Sequence, residues 1–432
     1  MLVSDCLNTN TFGHLTIGGC DTIELAQTFG TPLYVMDEDK IRNTCKMYRS
    51  SIDKYYNGKG MPLYASKAFS CKEICRIANE EKMGLDVVSG GELFTALTAG
   101  FPAEHIHFHG NNKTPDEISF ALQSNVGHII VDNLTELQTI DSMAAKMNKI
   151  ADITLRIKPG IDAHTHEFIR TGQIDSKFGF ALETGEAMEA VQSAVQYKNV
   201  NLKGVHCHIG SQIFDIQPFV LAAKIMLGFI KQIKDETGVV IKELNLGGGF
   251  GIKYVSSDTP VAYDKYMELV AETVNTRCKE LGLDVPFIFI EPGRSIVGEA
   301  GITLYTVGAI KKIPHVRTYV SVDGGMGDNP RYALYKSNYT AVVANKATLP
   351  ADEKVTIAGK CCESGDLIQE NTLIQTAEVG DTLAVLSTGA YNYSMSSNYN
   401  RIPKPAVVMV HNGDPRIVVK RETYEDIIRN DI

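Results

Sequence analysis

Eight short apolar runs, seven of them followed by a chemically distinctive turn, constrain this chain more than any other feature. They are Met61–Ala65, Gly84–Val88, Ile106–His109, His128–Val131, Ile153–Ile157, Gly204–Ile209, Glu243–Leu246 and Phe287–Glu291. Segments with helical spacing of apolar residues lie between them: Cys71–Glu81, Gly91–Thr98, Pro115–Gln123, Leu134–Met147, Glu183–Val195, Pro218–Asp235 and Ala262–Leu281. Parallel neighbours need a crossover, usually a helix, so this alternation predicts a parallel sheet. Eight such units predict a (β/α)8 TIM-like barrel of the α/β class rather than an open sheet.

Beyond the eighth run the pattern changes. Gly301 to Val322, Val355 to Ala358, Thr382 to Leu386 and Ala406 to Val410 read as strands joined by turns, without regular helices. The expected organisation is a barrel over residues 36–285 and a second, mostly antiparallel β-domain made of 1–35 and 286–432. A chain of 432 residues accommodates both.

Charge and cysteine usage narrow the functional class. The formal net charge is −9, which argues against nucleic acid or anionic membrane as the principal partner. Apolar runs such as Val285 to Ile290 are far too short to span a bilayer. The opening Met1-Leu-Val-Ser-Asp5 lacks the pattern of a secretory signal. Nine scattered cysteines form no disulfide framework, so a cytoplasmic enzyme with reduced thiols is expected.

The chemistry gathers after the strands. Lys67 follows the first, Ser89-Gly-Gly-Glu92 the second, His109-Gly-Asn-Asn-Lys113 the third and Asp132 the fourth; His208-Ile-Gly-Ser-Gln212, Gly247-Gly-Gly249 and Glu291-Pro-Gly-Arg294 follow the last three. Barrel active sites form at the C-terminal ends of the strands, where these groups would converge. Gly247, Gly248 and Gly249 let backbone N–H groups approach a phosphate, with Ser211 and the Glu291–Arg294 turn nearby. A lysine, a phosphate cradle and a buried glutamate together suggest pyridoxal 5'-phosphate, which needs an amine, an anion seat and a partner for its ring nitrogen. His208 could stack on the ring. Alternating histidines (His105, His107 and His109; His206 and His208; His164 and His166) offer a rival, because residues two apart share a face and could ligate a metal. A metal-dependent barrel hydrolase is the reading that competes, although a lysine at the first strand does not suit it.

These motifs resemble those of diaminopimelate decarboxylase, within the alanine-racemase-like barrel enzymes that use pyridoxal phosphate. The resemblance runs from Thr31-Pro-Leu-Tyr-Val35 to Tyr391. It is carried by YASKA at Tyr64–Ala68, DVVSGGE at Asp86–Glu92, HGNNK at His109–Lys113, HIGSQ at His208–Gln212, GGGFG at Gly247–Gly251 and EPGR at Glu291–Arg294. VDGGM at Val322–Met326, CESGD at Cys362–Asp366 and GAYNYSMSSNYN at Gly389–Asn400 complete the set.

The resemblance implies that Lys67 holds the cofactor as a Schiff base. Ser211, Gly249 and the turn Glu291, Pro292, Gly293, Arg294 would bind its phosphate and ring, with Tyr391 closing over them. Arg294, Arg331, Tyr335, Glu363 and Tyr391 would hold the substrate. Cys362 would be the general acid, contributed by a second subunit, so that a homodimer with shared sites is the minimal active unit. The implied reaction turns meso-2,6-diaminopimelate into L-lysine and carbon dioxide, the last step of lysine biosynthesis. Two arginines suit a substrate with two carboxylates, and Glu363 its far ammonium; ornithine or arginine decarboxylases bind only a cationic tail. A regulator that had lost catalysis would be expected to lack Lys67 or Cys362, and both are present. Residues Lys158–Phe180 are expected to form a lid or specificity loop. The adjacent Cys361 is expected to make Cys362 prone to oxidation.

Overall fold

The computed structural model describes residues 2–161 and 175–432. His164, His166 and most of the expected lid lie outside the described residues. The chain divides into two compact units: Met1–Asn43, Ile252–Thr259 and Arg294–Ile432 form one, and Thr44–Gly251 with Pro260–Gly293 the other.

The second of these is a closed parallel barrel. Its eight strands are Gly60–Ala65, Gly84–Val87, Ile106–Phe108, His128–Val131, Ala151–Lys158, Val200–His206, Glu243–Asn245 and Phe287–Ile290. Each pairs with the next in parallel register, and Ile288 opposite Gly60 closes the ring. A two-residue strand, Phe180–Ala181, adds to the outside of Ala151–Lys158. The strands are buried almost throughout, which is why they read as unbroken apolar runs rather than alternating ones.

Helices start where the sequence supplies a cap. Thr114 forms a capping box with Glu117, with Pro115 in the first turn, and Ser89 and Asn133 cap the helices that begin at Gly90 and Leu134. Each cap satisfies N–H groups that the helix itself cannot, a contribution of about 1 kcal/mol.

The structure departs from the expected boundary at 285. The strand Phe287–Ile290 pairs with Glu243–Asn245 on one side and with Gly60–Ala65 on the other, so it belongs to the barrel. Ile252 and Tyr254 depart the opposite way, packing with Tyr305, Val307 and Val343 in the core of the other unit.

That other unit is built around one long strand, Gly301–Ile313, which pairs antiparallel with Leu33–Asp37, Arg317–Val322 and Thr382–Val385. Two parallel pairings, Arg317–Val322 with Glu353–Ala358 and Leu33–Asp37 with Ala406–His411, interrupt the antiparallel rule. The expectation of no helices there is corrected by Arg331–Tyr335 and Tyr424–Ile428, each a little over one turn long. The opening segment also carries its own small sheet of Leu7–Thr9, Leu15–Ile17 and Cys20–Asp21. Among the described residues, no helix is long and apolar enough to cross a membrane.

Candidate active site

Lys67 stands on a single 3-10 turn, Ser66–Ala68, directly after the first barrel strand. The turn is held by Glu92, whose Oε2 accepts from Ser66 Oγ and from the Val88 N–H, each at 2.7 Å. The Lys67 side chain is exposed in the single chain. Its charge acts on Asp86, Glu92, His206 and His208, which places the ammonium among the groups at the strand ends.

Glu291 is the buried centre of these groups. Asn245 Nδ2 donates to its Oε1 at 2.7 Å, and His206 Nε2 lies 3.3 Å from its Oε2. His109 Nε2 sits 2.9 Å from Oε1. Burial alone would raise the Glu291 carboxyl, but His109 and His206 outweigh it and the net direction is well down, so the group stays ionised. Asp86 behaves oppositely: burial, only partly offset by His109, pushes it up to about 6. Its Oδ1 is buried without a hydrogen-bond partner, a polar atom that a bound ligand can satisfy.

The glycine triplet forms a cradle of backbone. A Cβ at Gly248 would fall 2.1 Å from the Glu291 carbonyl oxygen, and one at Gly249, where φ is +113°, 2.5 Å from that of Gly210. A side chain would not fit there, which is what glycine supplies, and the Gly247 N–H is taken by Asn245 Oδ1 at 2.9 Å. The Gly248 N–H donates to His208 Nδ1 at 3.2 Å, orienting the imidazole. Burial first, then the charges of Lys67 and Arg156, hold His208 well below the usual histidine range, so its ring is neutral. Ser211 is half-buried on the loop that runs beside the triplet, joined to it where the Ile213 N–H donates to the Gly249 carbonyl at 2.9 Å. Pro292 accepts from the Ala65 N–H at 3.1 Å, and Gly293 lies so close to the first strand that a Cβ would stand 2.9 Å from that of Ala65.

The other unit brings two arginines into one tyrosine cluster. Arg294 donates to the Tyr254 hydroxyl at 2.5 Å, and its guanidinium carbon is 4.7 Å from the Tyr391 ring centre. Arg331 faces Tyr391 and Tyr335, each at 5.4 Å, and Tyr254 at 5.9 Å. Arg331 is buried, and its Nε has no hydrogen-bond partner, a donor suited to a carboxylate. Tyr391 adopts φ +66°, a left-handed conformation that costs a residue with a Cβ roughly 1–2 kcal/mol; strain of this kind concentrates at functional sites.

Cys362 and Glu363 stand apart from that cluster, on the exposed turn before Asp366. Glu363 Oε1 accepts from the Gly365 N–H at 3.2 Å. Burial and Asp366 push the Cys361 thiol up to about 11, so it stays protonated and weakly reactive.

Sequence reasoning named Lys67, His208, Ser211, the glycines and Glu291, weighed His109 and His206 only as metal ligands, and passed over Asn245, Asp86 and Arg156 as site residues. Strand periodicity could have placed His206 and Asn245 there, because His206 shares a face with His208 and Asn245 with Gly247. Tyr254 and Tyr339 carry no such signal. The metal reading paired histidines within one strand, whereas the atoms that lie within 4.8 Å of one another come from three strands, His109, His206 and Glu291. The structure engages them with each other and with Asn245 instead.

Lysine, side-chain-free glycine cradle and ionised buried glutamate fit the amine, phosphate and ring nitrogen of pyridoxal phosphate, and they define a pyridoxal-dependent barrel enzyme. The family described as "Pyridoxal-dependent decarboxylase, pyridoxal binding domain" matches residues 38–298. Diaminopimelate decarboxylase of Bacillus subtilis is 51% identical over 98% of this chain and 96% of its own, and that of Staphylococcus aureus 48% identical over 98% of each. The crystal structure of diaminopimelate decarboxylase from M. jannaschii in complex with L-lysine superposes with a TM-score of 0.93 at 37% identity, covering 100% of this chain and 99% of that one. The chain belongs to the diaminopimelate decarboxylase family of pyridoxal-phosphate enzymes.

Proposed function

We propose that this enzyme decarboxylates meso-2,6-diaminopimelate to L-lysine and carbon dioxide. The observation that carries the reading is the ionised Glu291, held by Asn245 and His206 beside the glycine cradle. An anionic partner keeps a pyridine nitrogen protonated. When bound, pyridoxal phosphate supplies a protonated ring that takes up the electron pair left by the departing carboxylate.

The chain's own residues do the rest. Lys67 Nζ would be the cofactor's point of attachment. The glycine main chain of Gly247–Gly249, with Ser211, would hold the phosphate, and neutral His208 would lie against the ring. Arg294 and Arg331 clamp carboxylates, Tyr335 and Tyr391 line the same cluster, and Glu363 accepts from the far ammonium. Cys362 Sγ then gives its proton to the carbon that carried the carboxylate. A thiol suits the step because its ordinary pKa is near working pH. Following the family, we assign Cys362 and Glu363 to the site of a second copy, which makes a homodimer the active unit; the free cysteines suit the cytoplasm as its compartment.

The test is carbon dioxide release from meso-diaminopimelate compared with ornithine, arginine and lysine. Preference for any of these three monocarboxylate substrates over diaminopimelate would overturn the substrate assignment. Lys67→Ala should abolish the visible band of the loaded enzyme, and a wild-type chain that stays colourless with pyridoxal phosphate would overturn the cofactor roles. Cys362→Ala should keep the band and lose turnover. Mixing it with Lys67→Ala should restore activity through hybrid dimers; no recovery would count against sharing.

A further inference from the structure

A proton donor on an exposed turn poses a physical problem. Packing within its own chain does not fix its side chain, yet proton transfer demands placement within hydrogen-bond reach of the accepting carbon. The backbone must therefore carry the precision. In this chain the two consecutive N–H groups of the thiol pair are both captured by side chains. The Cys361 N–H donates to Asp366 Oδ2 and the Cys362 N–H to Asn400 Oδ1, each at 2.7 Å.

Asp366 is itself tightly held. It is 2% exposed. Its Oδ1 takes the Met326 N–H at 2.5 Å, its carbonyl takes the Gly359 N–H at 2.9 Å, and its own N–H reaches the Glu363 carbonyl at 3.1 Å. The backbone closes on this carboxylate so tightly that a Cβ at Gly359 would fall 2.2 Å from Oδ2. Asn400 is held at the other side of the turn in a left-handed conformation, φ +52°, one that asparagine tolerates better than most residues. Its loop is tied down where the Ser397 N–H donates to the Gly327 carbonyl at 2.8 Å, and the Lys360 N–H to that of Gly324 at 2.9 Å. Three loops of one unit, around 324–328, 359–366 and 397–401, thus meet at the thiol pair.

We infer that Asp366 and Asn400 are positioning residues for the Cys362 thiol, fixing the backbone from which it delivers its proton. The inference rests on the assignment of Cys362 as the acid. Asp366 acts a second time on the same pair. Together with burial it keeps the Cys361 thiol protonated.

The experiment uses the loaded full-length enzyme and the variants Asn400→Ala, Asn400→Asp, Asp366→Asn and Cys362→Ala. Two quantities are read: steady-state kinetics, and the pH profile of Cys362 alkylation by iodoacetamide, resolved residue by residue by mass spectrometry. Asn400→Ala is expected to lower kcat by about tenfold, the worth of one backbone hydrogen bond, with KM and the visible band unchanged and the alkylation profile shifted. Asn400→Asp restores the acceptor and is expected to recover most of kcat. Asp366→Asn is expected to lower kcat and to raise alkylation at Cys361.

A purely architectural role would lower thermal stability and cofactor content while leaving the alkylation profile of the folded fraction unmoved. Wild-type kcat and alkylation in Asn400→Ala would overturn the inference, with or without folded Asp366→Asn. Full turnover in Cys362→Ala would instead overturn the acid assignment, and the alkylation profiles would still report whether the two residues position the thiol.

Discussion

Asn245 and Glu291 meet inside the barrel, the amide of one donating to the carboxylate of the other at 2.7 Å. The relationship follows from register: the strands Glu243–Asn245 and Phe287–Ile290 are parallel neighbours, with Asn245 opposite Phe289. Glu291→Gln keeps the shape and removes the charge. It is expected to fold and bind cofactor but to lose about 10- to 100-fold in kcat, the range for a hydrogen bond to a charged group. The visible band of the loaded variant should titrate differently with pH. An unchanged kcat would show that the carboxylate's charge is not used.

The glycine cradle makes a sharper prediction. Gly248→Ala drives a methyl to within 2.1 Å of the Glu291 carbonyl oxygen, and overpacking at a rigid site costs about 1–3 kcal/mol. Weaker pyridoxal phosphate binding and a lower denaturation midpoint are expected together. Wild-type cofactor affinity, measured by fluorescence titration, would contradict the assignment of the triplet as the anion seat.

Arg331→Lys preserves charge but not the planar fork. If Arg331 grips a carboxylate at two points, the variant should show a KM for meso-diaminopimelate raised about tenfold, with kcat less affected. Steady-state kinetics decides this, and an unchanged KM would remove Arg331 from the substrate contacts.

Asp328 gives the molecule a stability term that depends on pH. Burial pushes its carboxyl up to about 7, above the ordinary carboxylate range of an unfolded chain. The folded state therefore binds more protons than the unfolded state between those values, so this contribution is full at low pH and is lost as pH rises toward 7. Asp328→Asn abolishes the titration. Its stability relative to wild type should climb as pH rises through that window, as read by denaturant unfolding, and parallel curves for the two proteins would disprove it.

The barrel was legible in the sequence because parallel strands covered on both faces become apolar runs, and seven of the runs here end in a residue that packing does not require. The helix Glu38–Tyr55 was not legible by that route, since it precedes the first barrel strand rather than lying between two of them. At the site, motif residues such as Lys67 and Glu291 were visible because their turns are distinctive. Tyr254 and Tyr339 were not: tyrosines on connecting segments look like ordinary aromatic filler until the chain folds Arg294 and Arg331 against them.

The glycine triplet has an evolutionary corollary. A seat made of main chain offers selection no side chain to adjust, and the added carbon of even the smallest replacement at its centre collides with a neighbouring strand end. Arg294, Arg331 and their tyrosines sit in the other unit, where exchange of one side chain leaves the main-chain seat intact. Descendants of such a chain can drift in what they accept while remaining bound to one coenzyme.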